Sequence, residues 1–263
     1  MGKLGGWTKT YYTGTEFITL KTPEETIPIG FTEQKVSGRA RLLDFTGFLP
    51  WHGFKKLLAR LMPQRTSPNA IPSEDLALGF VTGVLGGAQK LTHVAHLRQD
   101  AMLPTLPGIK RIGSQSSYTR FIQRFAAAGT NLEIFRPLWR WGIERLASRP
   151  GGYSLDLDST RLLHEAGHQE GVAPGHTRLG NKPCLHPLLA VLEVIKQLDM
   201  DFALPKWCLA KFWATEAALS SAVLSYNLTQ IFQRHLGWLQ RVTASTLRFR
   251  LFTTGGIPYS TIL

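Results

Sequence analysis

Hydrophobic and polar positions follow a strand-like period of two near the N-terminus and a helical period over most of the remaining chain. Alternation predicts strands at Lys9–Tyr12 and Phe17–Leu20, joined by a Thr-Gly-Thr turn. From Ser37 onward, apolar residues recur at the spacing typical of amphipathic helices. The predicted helices are Phe54–Leu61, Ser73–Gly87 with Ser73 as its N-cap, Leu91–Leu97, Leu132–Leu146 and Lys206–Leu239.

A second alternating segment, residues 154–160, carries two carboxylates. Asp156 and Asp158 are two positions apart, so in a strand they point to one face while Leu155 and Leu157 point to the other. Paired carboxylates at the end of a half-buried strand can hold Mg²⁺ together with water and phosphate oxygens. The alternative is a strand that ends in a turn, in which Asp158 and the two hydroxyl residues after it bond to nearby backbone.

The charge of the chain is uneven. The 263 residues carry a formal net charge of +12, of which residues 1–150 contribute +10 and residues 151–263 only +2. A cationic first half predicts a module that binds a polyanion such as DNA, although a merely basic domain would have the same composition. The two cysteines, Cys184 and Cys208, form neither a disulfide framework nor a metal-site spacing.

No segment of the sequence predicts export or membrane insertion. Residues 1–10 lack the apolar core of a secretory signal. The apolar run Leu76–Ala88 is shorter than the ~20 residues that a membrane span requires. We therefore expect a cytoplasmic protein with no membrane partner.

A basic loop followed by a Ser-capped helix predicts a DNA contact in the first half of the chain. This helix would bury Phe121, Ile122 and Phe125 and present polar side chains on its other face. A short helix, a turn and such a polar helix are typical of a helix-turn-helix reader, although a helix of this kind can also be plain structure. The candidate DNA-binding residues are Lys110, Arg111, Ser114, Gln115, Ser117, Arg120 and Arg124.

The segment from Arg161 to Leu192 is rich in glycine and histidine and is predicted to be largely irregular. Within it, His164-Glu165-Ala166-Gly167-His168 has the letters of the zinc-protease motif His-Glu-x-x-His. That motif works only on a helix, where both histidines share a face. Gly167 inside the motif and Gly171 soon after it disfavour a helix, so the alternative is a polar loop with solvated histidines.

The whole segment from Leu155 to Leu192 identifies a protein family far more specifically than any single motif within it. The sequence SLDLDSTRLLHEAGHQEGV, followed by GHTRLGNKPCLHPLLAVL, resembles the first catalytic block of bacterial insertion-sequence transposases with an Asp-Asp-Glu active site. The resemblance extends to NAIPSEDLALGFVTGVLGGAQKLTHVAHLRQD and GIKRIGSQSSYTRF on the N-terminal side. On the C-terminal side it extends to DFALPKWCLAKFWATEAALSSAVLSYNLTQIFQRHLGW. It therefore covers nearly the whole chain, in the right order.

The resemblance implies a cut-and-paste DNA transposase with an RNase-H-like catalytic core. In that family the first catalytic acid is the Asp of an Asp-x-Thr element closing the first core strand, which corresponds to Asp158, two residues before Thr160. It binds Mg²⁺ together with a second Asp and a Glu, and the metals activate water or a DNA 3′-hydroxyl for in-line phosphoryl transfer. Asp156 would be an auxiliary ligand, and the DNA partner would be the terminal repeats of an insertion sequence.

The chain departs from the family pattern after Leu192. Relatives carry a long segment there, with the second Asp, a β-rich insertion and the start of the Glu-bearing helix, whereas this chain passes directly into VIKQL. Only 35 positions separate Asp158 from Glu193, where an RNase-H-like core needs on the order of 75 residues. We therefore predict an internal deletion. Glu193 is either the third catalytic acid or a residue at the junction.

The expected fold is α+β, with a helical DNA-binding region followed by a truncated RNase-H-like (α/β) remnant that ends in a long helix. The expected segments are an N-terminal extension with short strands (1–36), the helical DNA-binding domain (37–149), the first part of the catalytic domain (150–192) and its C-terminal helical part (193–263).

The expected function is that of a truncated, inactive transposase-family protein, which binds DNA weakly and does not cleave it, because loss of one member of a catalytic unit removes most activity. One alternative is a regulatory remnant that mixes with full-length transposase, or with itself, through the long C-terminal helix. Another is a metal-dependent hydrolase that uses His164 and His168.

Overall fold

Helices and antiparallel strands occupy separate stretches of the chain, so the fold is α+β. The structure is a computed structural model. It describes residues 9–12, 15–21, 26–30, 37–39, 42–51, 53–65, 67–100, 109–146, 150, 155–164, 168–177, 179–192, 201–237 and 242–252.

The helices form where the sequence has apolar residues at helical spacing. They are α1 (Leu42–Trp51), α2 (Phe54–Leu61), α3 (Ser73–Leu85), α4 (Leu91–His96), α5 (Gln115–Ile122), α6 (Ala128–Ile143), α7 (Phe212–His235) and α8 (Ala244–Leu247). Short 3₁₀ turns lie at Leu97–Gln99 and Leu204–Trp207, and a π-helical turn at Arg248–Phe252 follows α8. The prediction of a helix at Phe54–Leu61 is confirmed at both ends, whereas the long C-terminal helix begins later than predicted.

The predicted N-cap of α3 is wrong. Pro72 occupies the N-cap position, and Ser73 is the first helical residue. The Ser73 hydroxyl instead donates a hydrogen bond to the carbonyl of Pro63. It therefore ties the start of α3 to the loop after α2 rather than capping its own helix.

The strands form three antiparallel groups within the described residues. They are β1 (Lys9–Tyr12), β2 (Thr15–Lys21), β3 (Thr26–Gly30), β4 (Leu155–Ser159), β5 (Leu162–Leu163), β6 (Ala173–Thr177), β7 (Gly180–Leu185) and β8 (Leu188–Leu192). Strands β1, β2 and β3 form one sheet, β4 pairs with β8, and β7 lies between β5 and β6. The amide of Thr160 donates to the carbonyl of Pro187 at 3.2 Å, which continues the pairing through the bend between β4 and β5.

The prediction of an irregular segment after Arg161 is therefore wrong, because strands β5 to β8 fill much of it. Most side chains of β6 and β7 are exposed or half-buried. Strands that face solvent on both sides need no apolar alternation, so the sequence pattern gave no signal of them.

One hydrophobic core joins the N-terminal helices to the C-terminal part of the chain. Helix α7 packs against α3 and α6, and the ring of Trp207 lies 4.9 Å from that of Phe80 in α3. Arg248 donates hydrogen bonds to the carbonyls of Leu85 and Val84 at the end of α3, at 2.7 and 3.0 Å. Residues that the sequence assigned to the catalytic domain thus complete the core of the helical region.

A short connection anchors the strands of the second half to the start of α7. The amide of Glu170 donates to the carbonyl of Ala210 at 3.0 Å, and the Glu170 carboxylate accepts from the amide of Phe212 at 3.1 Å. The hydrogen bond from the Lys211 ammonium, and then that from Phe212, lower the pKa of Glu170. The carboxylate also satisfies a backbone amide at a helix N-terminus, where negative charge is favoured.

The two-stranded β4–β8 sheet has an uncovered apolar face. Leu155 is 57%, Leu157 63% and Leu188 72% exposed, and the register places all three on one side of the sheet. We call this the leucine face. The half-buried strand expected at residues 154–160 therefore has its leucine side in solvent.

No helix in the described part of the chain is both long and apolar enough to cross a membrane.

Candidate nucleic-acid interface

Helix α5 begins with the serine cap that the sequence predicts. The Ser114 hydroxyl accepts a hydrogen bond from the amide of Ser117 at 3.2 Å, which satisfies one of the free donors of the first turn. Tyr118, Phe121 and Ile122 are buried. Because these three side chains turn inward, the opposite side of α5 presents its polar residues to solvent.

The polar side of α5 forms one wall of a small cleft. The opposite wall comes from the loop that precedes α3, and the volume is about 180 Å³. We call it the arginine cleft, and the residues that line it are Asn69, Ala70, Ile71, Leu76, Arg111, Ser117, Arg120 and Arg124. It contains three guanidinium groups and no carboxylate, so its field attracts anions.

The three arginines of the cleft have different roles. Arg124 is half-buried and donates to the carbonyl of Gln64 at 3.1 Å and to the Ser73 hydroxyl at 3.4 Å. It therefore braces the wall of the cleft. Arg111 and Arg120 are exposed and have no hydrogen bond or ion pair to other described residues. Their guanidinium forks are available for a bidentate contact with an oxyanion.

A second cleft lies on the other side of the start of α3. Its volume is about 360 Å³, and it is lined by Ala59, Met62, Gln64, Arg65, Pro72, Ser73, Glu74 and Lys110. The Glu74 carboxylate offsets part of the charge of Lys110 and Arg65. Arg65 also donates to the carbonyl of Pro68 at 2.9 Å, which occupies part of its guanidinium. The arginine cleft is therefore the stronger anion site of the two.

A buried acid holds the basic loop that leads into α5. Asp75 of α3 is fully buried, and its carboxylate lies 2.8 Å from the Lys55 ammonium of α2. It also accepts a hydrogen bond from the backbone amide of Lys110 at 3.1 Å. Asp75 is not among the site residues predicted from the sequence, and its position at the start of the long apolar run of α3 was the available signal that it is buried.

The structure brings together part of the predicted DNA-binding set. Arg111, Ser117, Arg120 and Arg124 share the arginine cleft, and Lys110 lines the neighbouring cleft. Gln115 is exposed at the start of α5, whereas the Ser114 hydroxyl is occupied in capping. Asn69 is the one polar lining residue of the arginine cleft that the sequence analysis missed.

Helices α4 and α5 are in contact, but residues 100–114 lie between the 3₁₀ turn after α4 and the start of α5. A helix-turn-helix connection has three or four residues, so α4 itself is not joined to α5 by such a turn. Residues 101–108 lie outside the described residues, and the described basic residues Lys110 and Arg111 lead directly into α5.

Two of the predicted metal ligands, Asp156 and Asp158, lie on strand β4. Asp156 and Asp158 lie opposite Val191 and Leu189 in the register of β4 with β8. The side chains of these two aspartates, and the whole of Glu193, lie outside the described residues. In the part of the chain that the structure describes, no three His, Cys, Asp or Glu side chains cluster closely enough to hold a metal ion.

The zinc-protease letters do not fall on a helix at either described histidine. His164 follows strand β5, and its amide donates to the carbonyl of Pro183 at 3.0 Å, while His168 lies in an exposed loop. Glu165 lies outside the described residues. The shared helical face that a zincin requires is absent at these two positions.

Comparisons with known proteins give no relative. No protein-family model, no curated protein and no solved structure matches this chain.

Proposed function

We propose that the chain is a transposase-related DNA-binding protein of the cytoplasm that contacts duplex DNA through the arginine cleft. The observation that carries the proposal is the convergence of Arg111, Arg120 and Arg124 around one cleft without a carboxylate. Arginine-rich concave surfaces bind phosphate oxygens, and phosphate contacts supply most of the affinity of a protein for DNA.

The transposase part of the proposal rests on the sequence resemblance, above all on residues 154–192. The antiparallel pair β4–β8 agrees with the opening strands of an RNase-H-like sheet, with Asp158 on the first of them. The uncovered leucine face agrees with a core that lacks its remaining layers, because a sheet normally buries its apolar face against other elements.

The first experiment compares DNA binding by the wild-type chain and by the double variant Arg111→Ala/Arg120→Ala. Fluorescence anisotropy with a labelled duplex should show affinity lower by about tenfold to a hundredfold in the variant, because two charged contacts are lost. The slope of log affinity against log salt should become shallower by about 2, since two fewer counterions are released.

The matched control is Arg136→Ala/Arg140→Ala, which removes two exposed arginines from α6 outside the cleft. It should retain most of the affinity and most of the salt slope. Equal losses in the two double variants would assign the binding to general positive charge and refute the cleft as the contact surface.

We further propose that this chain does not cleave DNA, because the segment that bears the second catalytic Asp in relatives is missing after Leu192. Supercoiled plasmid incubated with the protein and Mg²⁺ should show no nicking above the level of Asp158→Ala. Nicking that requires Mg²⁺ and disappears in Asp158→Ala would show a working active site and contradict this part of the proposal.

The regulatory alternative needs a surface for a second transposase chain. Helix α7, the surface expected from the sequence, buries residues along most of its length against α3 and α6. The leucine face is an exposed apolar surface that such a partner would cover. Light scattering on the purified chain and its mixture with a full-length transposase distinguishes this alternative from a solitary DNA-binding protein.

A further inference from the structure

We propose that the arginine cleft holds a dianionic phosphate monoester, the group found at the 5′ end of a DNA strand. This inference rests on the proposed DNA-binding function and makes it more specific. Free inorganic phosphate offers the same charge and oxygen atoms, so a test must distinguish a DNA 5′-phosphate from free phosphate as the ligand.

The charge of the cleft favours a dianion over the backbone of DNA. A bridging phosphodiester carries one negative charge, whereas a phosphate monoester carries about 1.5 to 2 at neutral pH. Arg111, Arg120 and Arg124 supply three positive charges to the lining, and no lining residue is acidic. A terminal phosphate therefore balances the cleft more completely than an internal phosphate does.

The donors of the cleft also suit a terminal phosphate. Arg120 and Ser117 come from the wall formed by α5 and Asn69 from the opposite loop, so donors approach from two sides. A terminal phosphate offers three unbridged oxygens to such donors, and a diester offers two. The volume of the cleft, about 180 Å³, is large enough for a single phosphate group.

Arg124 acts as a positioning residue in this arrangement. Its bonds to Gln64 and Ser73 hold the wall of the cleft to the loop after α2 and to the start of α3. Arg111 and Arg120 are the residues expected to contact the phosphate, because they are exposed and have no partner among the described residues.

The test compares two labelled duplexes of identical sequence, one with 5′-phosphate ends and one with 5′-hydroxyl ends. The wild-type chain should bind the phosphorylated duplex about fivefold or more tightly. Arg111→Ala/Arg120→Ala should bind both duplexes equally, while the control Arg136→Ala/Arg140→Ala should retain the preference. Circular dichroism of each variant verifies that the helices remain folded.

A second arm measures thermal unfolding with inorganic phosphate against sodium chloride at matched ionic strength. A ligand that binds the folded state raises the unfolding midpoint. Phosphate stabilises folded proteins in general by exclusion from their surface, so it should raise the midpoint of all three proteins. The rise should be clearly larger in the wild-type chain and the control than in Arg111→Ala/Arg120→Ala, and that excess is the cleft-dependent shift.

A preference for the phosphorylated duplex supports the DNA end as the source of the group. Equal binding of both duplexes, with a cleft-dependent shift by inorganic phosphate, supports free phosphate as the source. Equal binding without that shift overturns this inference and leaves DNA binding intact. Absence of binding to either duplex at low salt overturns the proposed function separately.

Discussion

Asp75→Asn is expected to lower the free energy of unfolding by about 2–4 kcal/mol, measured by urea denaturation. The wild-type carboxylate is fully buried between the Lys55 ammonium and the amide of Lys110. The asparagine amide can still accept from Lys110, but it carries no negative charge to pair with the Lys55 ammonium. The expected cost lies below that of a fully buried pair, because the Lys55 side chain is 27% exposed and the remaining charge keeps some contact with water.

The neighbouring acid provides the control for this variant. Glu74 precedes Asp75 and is half-buried, with no hydrogen bond or ion pair to other described residues. Glu74→Gln should therefore change stability by less than about 0.5 kcal/mol. Adding Lys55→Met to Asp75→Asn should cost less than the sum of the two single losses, since the two side chains interact and both charges are then removed.

The same substitution should change DNA binding much less than stability. Lys110 immediately precedes Arg111, and the asparagine side chain can still accept from the Lys110 amide, so the approach to the arginine cleft is kept. Stability of Asp75→Asn equal to that of Glu74→Gln would show that the pair of Asp75 with Lys55 contributes little.

Local elements could be predicted from the sequence because their causes lie within a few residues. Helix α2 has a complete apolar stripe, and it begins and ends where the spacing indicates. The cap of α5 was also predictable, since Ser114 and the amide it accepts from are three residues apart. The strand over residues 155–159 followed from its alternation.

Features that depend on distant partners could not be predicted in the same way. The alternation of β4 shows that Leu155 and Leu157 share a face, but only the rest of the fold decides whether that face is covered. The arginine cleft joins Asn69 to Arg111 and Arg120, far apart in sequence, and no periodicity encodes that approach. The pairing of Asp75 with Lys55 is likewise set by the packing of α2 on α3.

The assignment of elements to domains also depends on distant partners. The resemblance implies that residues 193–263 belong to the catalytic domain, and in the structure α7 and Trp207 of that segment pack against α6 and α3. An apolar helix shows in its sequence that it must be buried, but not against which neighbour. Because Trp207 and Phe80 belong to one core, loss of the Trp207 side chain should destabilise the N-terminal helices as well.

Trp207→Ala is expected to lower the free energy of unfolding by about 3–5 kcal/mol, the usual cost of removing a large buried aromatic side chain. Trp207 is fully buried, contacts Phe80 of α3 and donates its indole N–H to the carbonyl of Phe202 at 2.9 Å. Trp139→Ala is the matched control, because that ring is 37% exposed and loss of its partial burial against Phe135 should cost about 1–2 kcal/mol, clearly less than the loss at Trp207.

The signal that follows unfolding decides whether the two parts of the chain share one core. If α3 depends on Trp207, far-ultraviolet circular dichroism, dominated by the helices, should lose its signal in one cooperative transition at lower urea. An early partial transition that spares most of the helical signal would instead show that the C-terminal part unfolds alone. The contact of Trp207 with Phe80 would then be peripheral, and the N-terminal helices would form an independent DNA-binding domain as the sequence predicts.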